Sequence, residues 1–258
     1  MITALISRKG GVGKTTTAVN LSAALAGLGQ RVLLVDLDCQ ALASLSLGVA
    51  RTALAPSAAD VLLGGLPADQ AVRQTAIAGL DLITASVDLG EADAELSQFR
   101  GREGRLRSAL APIAAAYDHV LLDCPSSLSL LPVNAIVAAG SFVVPVVPQF
   151  LSASGVRNLF AAAERIAWDS GGRNRPLGVL LTMVDYRTRA TRETVDELRR
   201  EYGSLVFAIE IRVNTRLAEA PRAGQTIFQF EPTAKGAIAY RLLADEFLLR
   251  CAELRRSR

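Results

Sequence analysis

The residue types best suited to chemistry in this chain are concentrated between Arg8 and Thr16, which reads Arg-Lys-Gly-Gly-Val-Gly-Lys-Thr-Thr. Gly10, Gly11 and Gly13 allow a backbone to wrap closely around a ligand, where a side chain would obstruct the approach. The set suits a polyphosphate. The N–H groups of Gly10, Gly11, Val12 and Gly13 would cradle the β- and γ-phosphates, Lys14 would reach across them, and the Thr15 hydroxyl, followed by Thr16, would ligate Mg²⁺. Lys9 adds a second cation at the start of this nest. Lysine is scarce in the chain: three of the 28 Lys and Arg residues are Lys, and two of the three lie in this loop.

Other candidates are carboxylates and arginines. The run Arg31-Val-Leu-Leu-Val-Asp-Leu-Asp38 delivers Asp36 and Asp38 to the end of an apolar segment, and Val120-Leu-Leu-Asp123 does the same for Asp123. Acids at a strand end suit a ligand site at the carboxyl edge of a sheet, and they also suit a helix cap. Arg187, Arg189, Arg192, Arg199, Arg200, Arg212, Arg216 and Arg222 crowd the last third of the sequence. They could bind a phosphate backbone or simply form a solvated face. Cys39, Cys124 and Cys251 lack metal-ligand or disulfide-framework spacing. His119, the single histidine, sits at the start of an apolar run away from the loop and reads as structural. Trp168 and the other aromatics are too sparse for a base-stacking platform.

Strand-like runs alternate with helical patterns along the whole chain and would position these groups. Strands are expected at Ile2–Ser7, Arg31–Asp36, Gly79–Thr84, His119–Asp123, Phe142–Val147, Leu177–Thr182 and Leu205–Ala208. Helices are expected at Thr15–Leu28, Gly104–Tyr117, Ser152–Trp168, Thr191–Tyr202 and Thr233–Leu254, from apolar residues at three- and four-residue spacing. Alternation of this kind implies an α/β fold, a doubly wound, mostly parallel sheet with helices on both faces. Continuous apolar strands are what a sheet covered on both sides requires. The segment Leu47–Gly90, with a short Ser57–Leu63 helix, reads as a surface excursion, and residues 1–258 as a single domain. Half of the residues are apolar and the net charge is +3, a globular composition. The sequence shows no secretory signal pattern and no run of about 18 apolar residues, so a cytoplasmic protein is expected.

With Lys9 included, Lys9-Gly-Gly-Val-Gly-Lys-Thr-Thr16 resembles the deviant Walker A box of the ParA/MinD family of P-loop ATPases. The resemblance continues through Asp36 and Asp38, through Tyr117-Asp-His-Val-Leu-Leu-Asp-Cys-Pro-Ser-Ser127, and through Leu180–Thr188. Ile211-Arg-Val-Asn-Thr-Arg-Leu-Ala-Glu-Ala-Pro221 resembles the ParA/Soj branch, the partition ATPases. The resemblance implies ATP and Mg²⁺ as cofactors and a homodimer in which Lys9 crosses to the partner's phosphates. It implies that Lys9, Lys14 and Asp38 act in hydrolysis, with Lys9 offsetting charge in the partner's site and Asp38 positioning the attacking water. Asp36 and Asp123 would support the magnesium site, Asn214 would contact adenine, and Arg187 and Arg216 would bind double-stranded DNA without sequence preference. Slow hydrolysis, a ParB-like activator and association with the nucleoid follow from the same branch. A MinD-like membrane protein is the alternative. The basic, amphipathic end Tyr240–Arg258 could lie on lipid, but its acidic residues favour a packed helix, and no stable membrane insertion is expected. The chain departs from the family pattern at Asp38-Cys-Gln-Ala-Leu42, where Asp-Pro-Gln-Gly-Asn is usual, at Arg212-Val213 before Asn214, and at Gln149, a position usually acidic. These departures bear on switch geometry, hydrolysis rate and partner choice.

Overall fold

The computed structural model describes residues 1–126, 129–149, 152–172 and 174–256. Ser127 and Arg258, named above in two motifs, lie outside the described residues. The strands are β1 Ile2–Leu5, β2 Val32–Asp36, β3 Val72–Gln74, β4 Leu80–Ile83, β5 His119–Asp123, β6 Ser141–Val146, β7 Arg175–Val184 and β8 Ile211–Arg212. Between and after them run α1 Lys14–Gly27, α2 Leu42–Ser46, α3 Ala58–Leu62, α4 Ala68–Ala71, α5 Ala92–Ser97 and α6 Arg105–Leu110. The remaining helices are α7 Leu130–Ala138, α8 Ser152–Asp169, α9 Arg189–Tyr202, α10 Thr215–Glu219, α11 Ile227–Phe230 and α12 Lys235–Arg256.

The strands form one sheet in the order β3-β4-β2-β5-β1-β6-β7-β8. Every neighbouring pair is parallel except β3 with β4. Side chains alternate across the sheet, so each apolar strand feeds two cores. Leu33, Val35, Val120 and Leu122 face one side, packed with residues of α3, α7, α8 and α9. Val32, Leu34 and Leu121 face the other, packed with Leu21 and Leu25 of α1 and Tyr240 and Phe247 of α12. The α/β architecture, a doubly wound sheet with helices on both faces, is the one expected.

Several local expectations give way. The segment Leu47–Gly90 is no surface excursion: Ala58, Ala59, Val61, Leu62, Ala68 and Ala71 are buried in the core, and the segment contributes both β3 and β4. Its helix at α3 is fixed by a capping box between Ser57 and Asp60. The expected strand Leu205–Ala208 reduces to one bridge, Val206 with Val179, and the edge strand is instead Ile211–Arg212. Close approach explains the short contact: a Cβ on Gly178 of β7 would lie 2.6 Å from the Leu205 carbonyl oxygen. The helix expected at Gly104–Tyr117 ends at Leu110 and resumes only as a 3₁₀ turn, Ala114–Ala116. Helix α7 has no counterpart among the expected elements. Its Pro132 lies in the first turn, where no intrahelical N–H is needed, and Leu131, Ala135, Ile136 and Val137 are buried.

Candidate nucleotide-binding site

β1 runs straight into the glycine loop, which opens α1. Gly11 and Gly13 have φ of 70° and 79°, in the left-handed region that glycine occupies without strain. At Gly13 the demand is conformational rather than spatial, because an added Cβ would meet only ordinary contacts at 3.7–3.9 Å. The first helical hydrogen bond is Thr17 N–H to the Gly13 carbonyl, 2.9 Å. Lys14, Thr15 and Thr16 therefore present N–H groups that the helix does not use. They lie at the positive end of the helix dipole, where anions are favoured.

Both loop lysines are held by neutral side chains of their own chain. The buried Lys14 ammonium donates to the Ser126 hydroxyl, just beyond β5. The exposed Lys9 ammonium donates to the Gln149 side-chain oxygen, just beyond β6. Gln149 is itself fixed by its N–H donating to the Ser152 hydroxyl at the start of α8, 3.0 Å.

The carboxylates lie side by side. β2 and β5 pair with Asp36 opposite Asp123, and both side chains are fully buried. Asp36 accepts from the Ser44 N–H at 2.9 Å, the Ser44 hydroxyl at 2.7 Å and the Asp38 N–H at 3.2 Å. Burial pushes its carboxyl up to about 6 against those hydrogen bonds. Asp123 is different. Among the described residues neither of its oxygens has a hydrogen-bond partner. Burial, then the neighbouring Asp36 charge, push its carboxyl up to about 8; Thr15 and Lys14 oppose the shift. The Thr15 hydroxyl is near enough to matter electrostatically without meeting hydrogen-bond geometry. Buried polar atoms rarely go unpartnered, so this orphaned carboxylate fits a cation. No group of three or more His, Cys, Asp or Glu among the described residues could hold a metal alone. Magnesium suits such a site, since it commonly takes one or two protein oxygens and completes its shell with phosphate and water.

Asp38 is half-buried and accepts from the Gln40 N–H at 3.0 Å, a local turn. Three residues on, Ala41 caps α2 with φ of 54°. That is the position at which the family pattern has glycine, so the departure places a methyl-bearing residue in a left-handed turn. Cys124, beside Asp123, is buried among the apolar core residues, and burial pushes its thiol up.

Asn214 follows β8 and uses its side-chain oxygen to accept the Arg216 N–H, 2.9 Å, capping α10. Arg187 and Arg216 are exposed but paired, with Asp185 and Glu219 at 2.6 and 2.7 Å. The structure does not bring these two arginines into contact with the phosphate loop. Sequence reasoning missed Ser44, which satisfies Asp36, and Ser126, which holds Lys14. Ser44 belongs to no motif and Ser126 only to the Tyr117–Ser127 string, which gives it no role; each matters because the sheet brings distant loops together.

Fold and loop together define a P-loop nucleotide-binding α/β protein of the deviant Walker A type. Residues 1–172 match the AAA domain family model. The chain is 46% identical over 250 residues to the chromosome-partitioning ATPase Soj of Thermus thermophilus, covering 97% of this chain and 96% of that protein. It is 40% identical over 251 residues to the chromosome partitioning protein ParA of Caulobacter vibrioides, covering 96% and 94%. The chain belongs to the ParA/Soj family of chromosome-partitioning ATPases. Among solved structures it is similar to a Mycobacterium smegmatis protein named cobyrinic acid a,c-diamide synthase, with bound ADP and magnesium. The match has 35% identity and a TM-score of 0.83, covering 98% of this chain and 95% of that one. It shares its fold alone with the cell division ATPase MinD of Pyrococcus furiosus, 24% identical with a TM-score of 0.79 over 96% and 98%. Among the described residues no helix is long and apolar enough to cross a membrane.

Proposed function

We propose that this chain is an ATP-driven switch: Mg-ATP on the glycine loop promotes a sandwich homodimer, the dimer binds double-stranded DNA without sequence preference, and slow hydrolysis returns monomers. The observation that carries the reading is the orphaned Asp123 carboxylate, buried beside Thr15 and Lys14 at the mouth of a loop with unused N–H groups. Gly10, Gly11, Val12, Gly13 and Thr16 contribute backbone donors, and Lys14 leaves Ser126 for the β- and γ-phosphates. Thr15 and Asp123 would hold Mg²⁺ with Asp36 beside them supporting that site, and Asp36 keeps Asp38 in place by accepting the Asp38 N–H. Bound magnesium offsets the charge that builds on the phosphates. Asp38 orients the water that attacks, and Asn214 contacts adenine. Lys9 exchanges Gln149 for the phosphates of the second subunit. Positioning and electrostatics supply the rate.

Arg187 and Arg216 are the DNA contacts in this reading. Their ion pairs lower the local positive charge but leave guanidinium donors for phosphate oxygens. Arg192 and Arg212 strengthen the same surface: Arg192 donates to the Tyr186 carbonyl and Arg212 lies over the Tyr186 ring. A ParB-like protein is the expected activator, and the nucleoid in the cytoplasm the expected place. The test is DNA binding across a salt series by wild type, Lys14→Ala and Arg216→Ala, with ATP, ADP or no nucleotide. ATP, and not ADP, should raise wild-type affinity but not that of Lys14→Ala, and Arg216→Ala should bind less and show a shallower salt dependence. Equal wild-type affinity in all three nucleotide states sinks the switch; undiminished binding by Arg216→Ala sinks the assigned surface.

A further inference from the structure

The phosphate loop is gripped from two strands away. β6 separates β7 from β1 in the sheet, yet the Thr182 hydroxyl of β7 donates to the Val12 carbonyl at 2.9 Å. Thr182 is 2% exposed and Val12 3%, so water does not compete for this bond. Its geometry depends on an irregularity: the pairing of β7 with β8 shifts register between Thr182 and Val184. Met183 between them has φ of 49°, in the left-handed region where a side-chain-bearing residue is strained. Packing of the Met183 side chain does not account for that strain, because Met183 stays 42% exposed. The bulge instead sets Thr182 and Met183 against the loop, with Thr182 Cβ 3.8 Å and Met183 Cε 3.7 Å from the place a Gly13 Cβ would occupy.

In a planar trans peptide the carbonyl and the following N–H point in opposite directions. Drawing the Val12 carbonyl toward β7 turns the Gly13 N–H away from that strand. We propose that Thr182 is a positioning residue: its hydroxyl fixes the Val12–Gly13 peptide with the N–H presented to the β-phosphate of a nucleoside polyphosphate, and the left-handed Met183 aims it. This rests on the nucleotide reading above and adds a residue to it. Without the hydroxyl the buried Val12 carbonyl loses its partner and the peptide is free to turn. Ordering the loop then falls on the binding step.

The experiment is calorimetric titration of Mg-ADP into wild type, Thr182→Val and Thr182→Ser, with ATP turnover measured for each. Thr182→Val should bind Mg-ADP about tenfold more weakly, the scale of one lost buried hydrogen bond. Thr182→Ser, which keeps the hydroxyl, should stay close to wild type. KM for ATP should rise in Thr182→Val with kcat little changed, the signature of lost ground-state positioning. In wild type the Gly13 amide resonance should move strongly when Mg-ADP is added, a readout that holds even if Thr182→Val fails to fold. Wild-type affinity in Thr182→Val, equal weakness in Thr182→Ser, or an unmoved Gly13 amide would each overturn the proposal. A wild-type chain that takes up no Mg-ADP overturns the nucleotide reading with it; the first three outcomes leave that reading standing.

Discussion

Asp118 and Asp123 are five residues apart at the two ends of β5, and their surroundings are opposite. Asp118 accepts from the Arg31 N–H at 2.9 Å and from the Arg31 guanidinium at 3.3 and 3.1 Å, and these bonds hold its carboxyl down at about 2. The N-terminal amine donates to the Asp118 carbonyl at 2.8 Å, and Tyr117 donates to Asp81 at 2.9 Å. The amino edge of the sheet is thus closed on itself. At the carboxyl edge Asp123 is orphaned and pushed up to about 8, Lys14 and Lys9 rest on neutral oxygens, and Ala41 and Met183 are left-handed. One edge spends its polar groups on folding; the other leaves them for a ligand. Open α/β sheets bind ligands outside the carboxyl ends of their strands, and here the asymmetry is written in hydrogen bonds.

If that contrast is right, replacing the buried, unpartnered carboxyl at the open edge should stabilise the ligand-free chain while destroying activity. Asp123→Asn should lower ATP turnover by about 10²–10³-fold, the scale for losing one preorganised electrostatic contact. Its folded carboxyl is raised above the unfolded value, so wild type binds the extra proton when folded. The penalty is absent below about pH 4, the unfolded value, and grows until about pH 8. Asp123→Asn should therefore gain ~2 kcal/mol of ligand-free stability at neutral pH and little at pH 4, measured by urea unfolding. A variant less stable than wild type at both pH values would break the contrast.

The closed edge has one exception, and it predicts the opposite pH dependence. His119 is buried with Nδ1 unpartnered and its ring edge-on to Phe247 at 5.5 Å. Burial, then the N-terminal amine and Arg255, lower it to about 4, with Asp118 opposing. The unfolded histidine takes a proton below about pH 6.5 while the folded one does not. Stability is lost as pH falls toward about 4. Wild type should lose ~2 kcal/mol more than His119→Phe between pH 7 and pH 5. Parallel losses in the two proteins would show that His119 is not the sensitive group.

The loop and the β5 strand were legible because their signals are local. Glycine spacing dictates a turn, and His119–Asp123 is a strand bounded by polar residues at the limits expected. Legibility failed where structure depends on partners far along the chain. Ser126 meets Lys14 across 112 residues, Gln149 meets Lys9 across 140, and Thr182 meets Val12 across 170. α7 was hidden because a helix buried on most sides has no polar face, so period 3.6 leaves no trace. β3 was hidden because three half-buried or exposed residues carry too short a pattern; its antiparallel pairing with β4 is closed locally, with the Thr75 N–H and hydroxyl donating to the Leu80 carbonyl.

Ala41 tests how tightly the open edge is built. Its left-handed turn costs ~1 kcal/mol relative to glycine, but the methyl is 1% exposed and its burial returns ~0.8 kcal/mol. Ala41→Gly should leave stability nearly unchanged. Ala41→Val, β-branched and larger, should lose ~1.5 kcal/mol. Stabilisation of several degrees by Ala41→Gly would mean that strain, not packing, dominates this turn.

The smallest effect concerns Lys9. A carboxylate at position 149 would hold the Lys9 ammonium more strongly than the present amide does, but on an exposed surface. Such a pair is worth only ~0.5–1 kcal/mol. Gln149→Glu should therefore leave folding unchanged and, if the proposed ATP-dependent dimer forms, raise the ATP concentration it needs about two- to fivefold, an effect that fades as salt is added. Light scattering across an ATP titration at two ionic strengths reads both quantities. Dimerisation unmoved by Gln149→Glu at low salt would mean that the contact between Lys9 and residue 149 does not compete with the partner's phosphates. The open edge would then be passive at this lysine rather than poised.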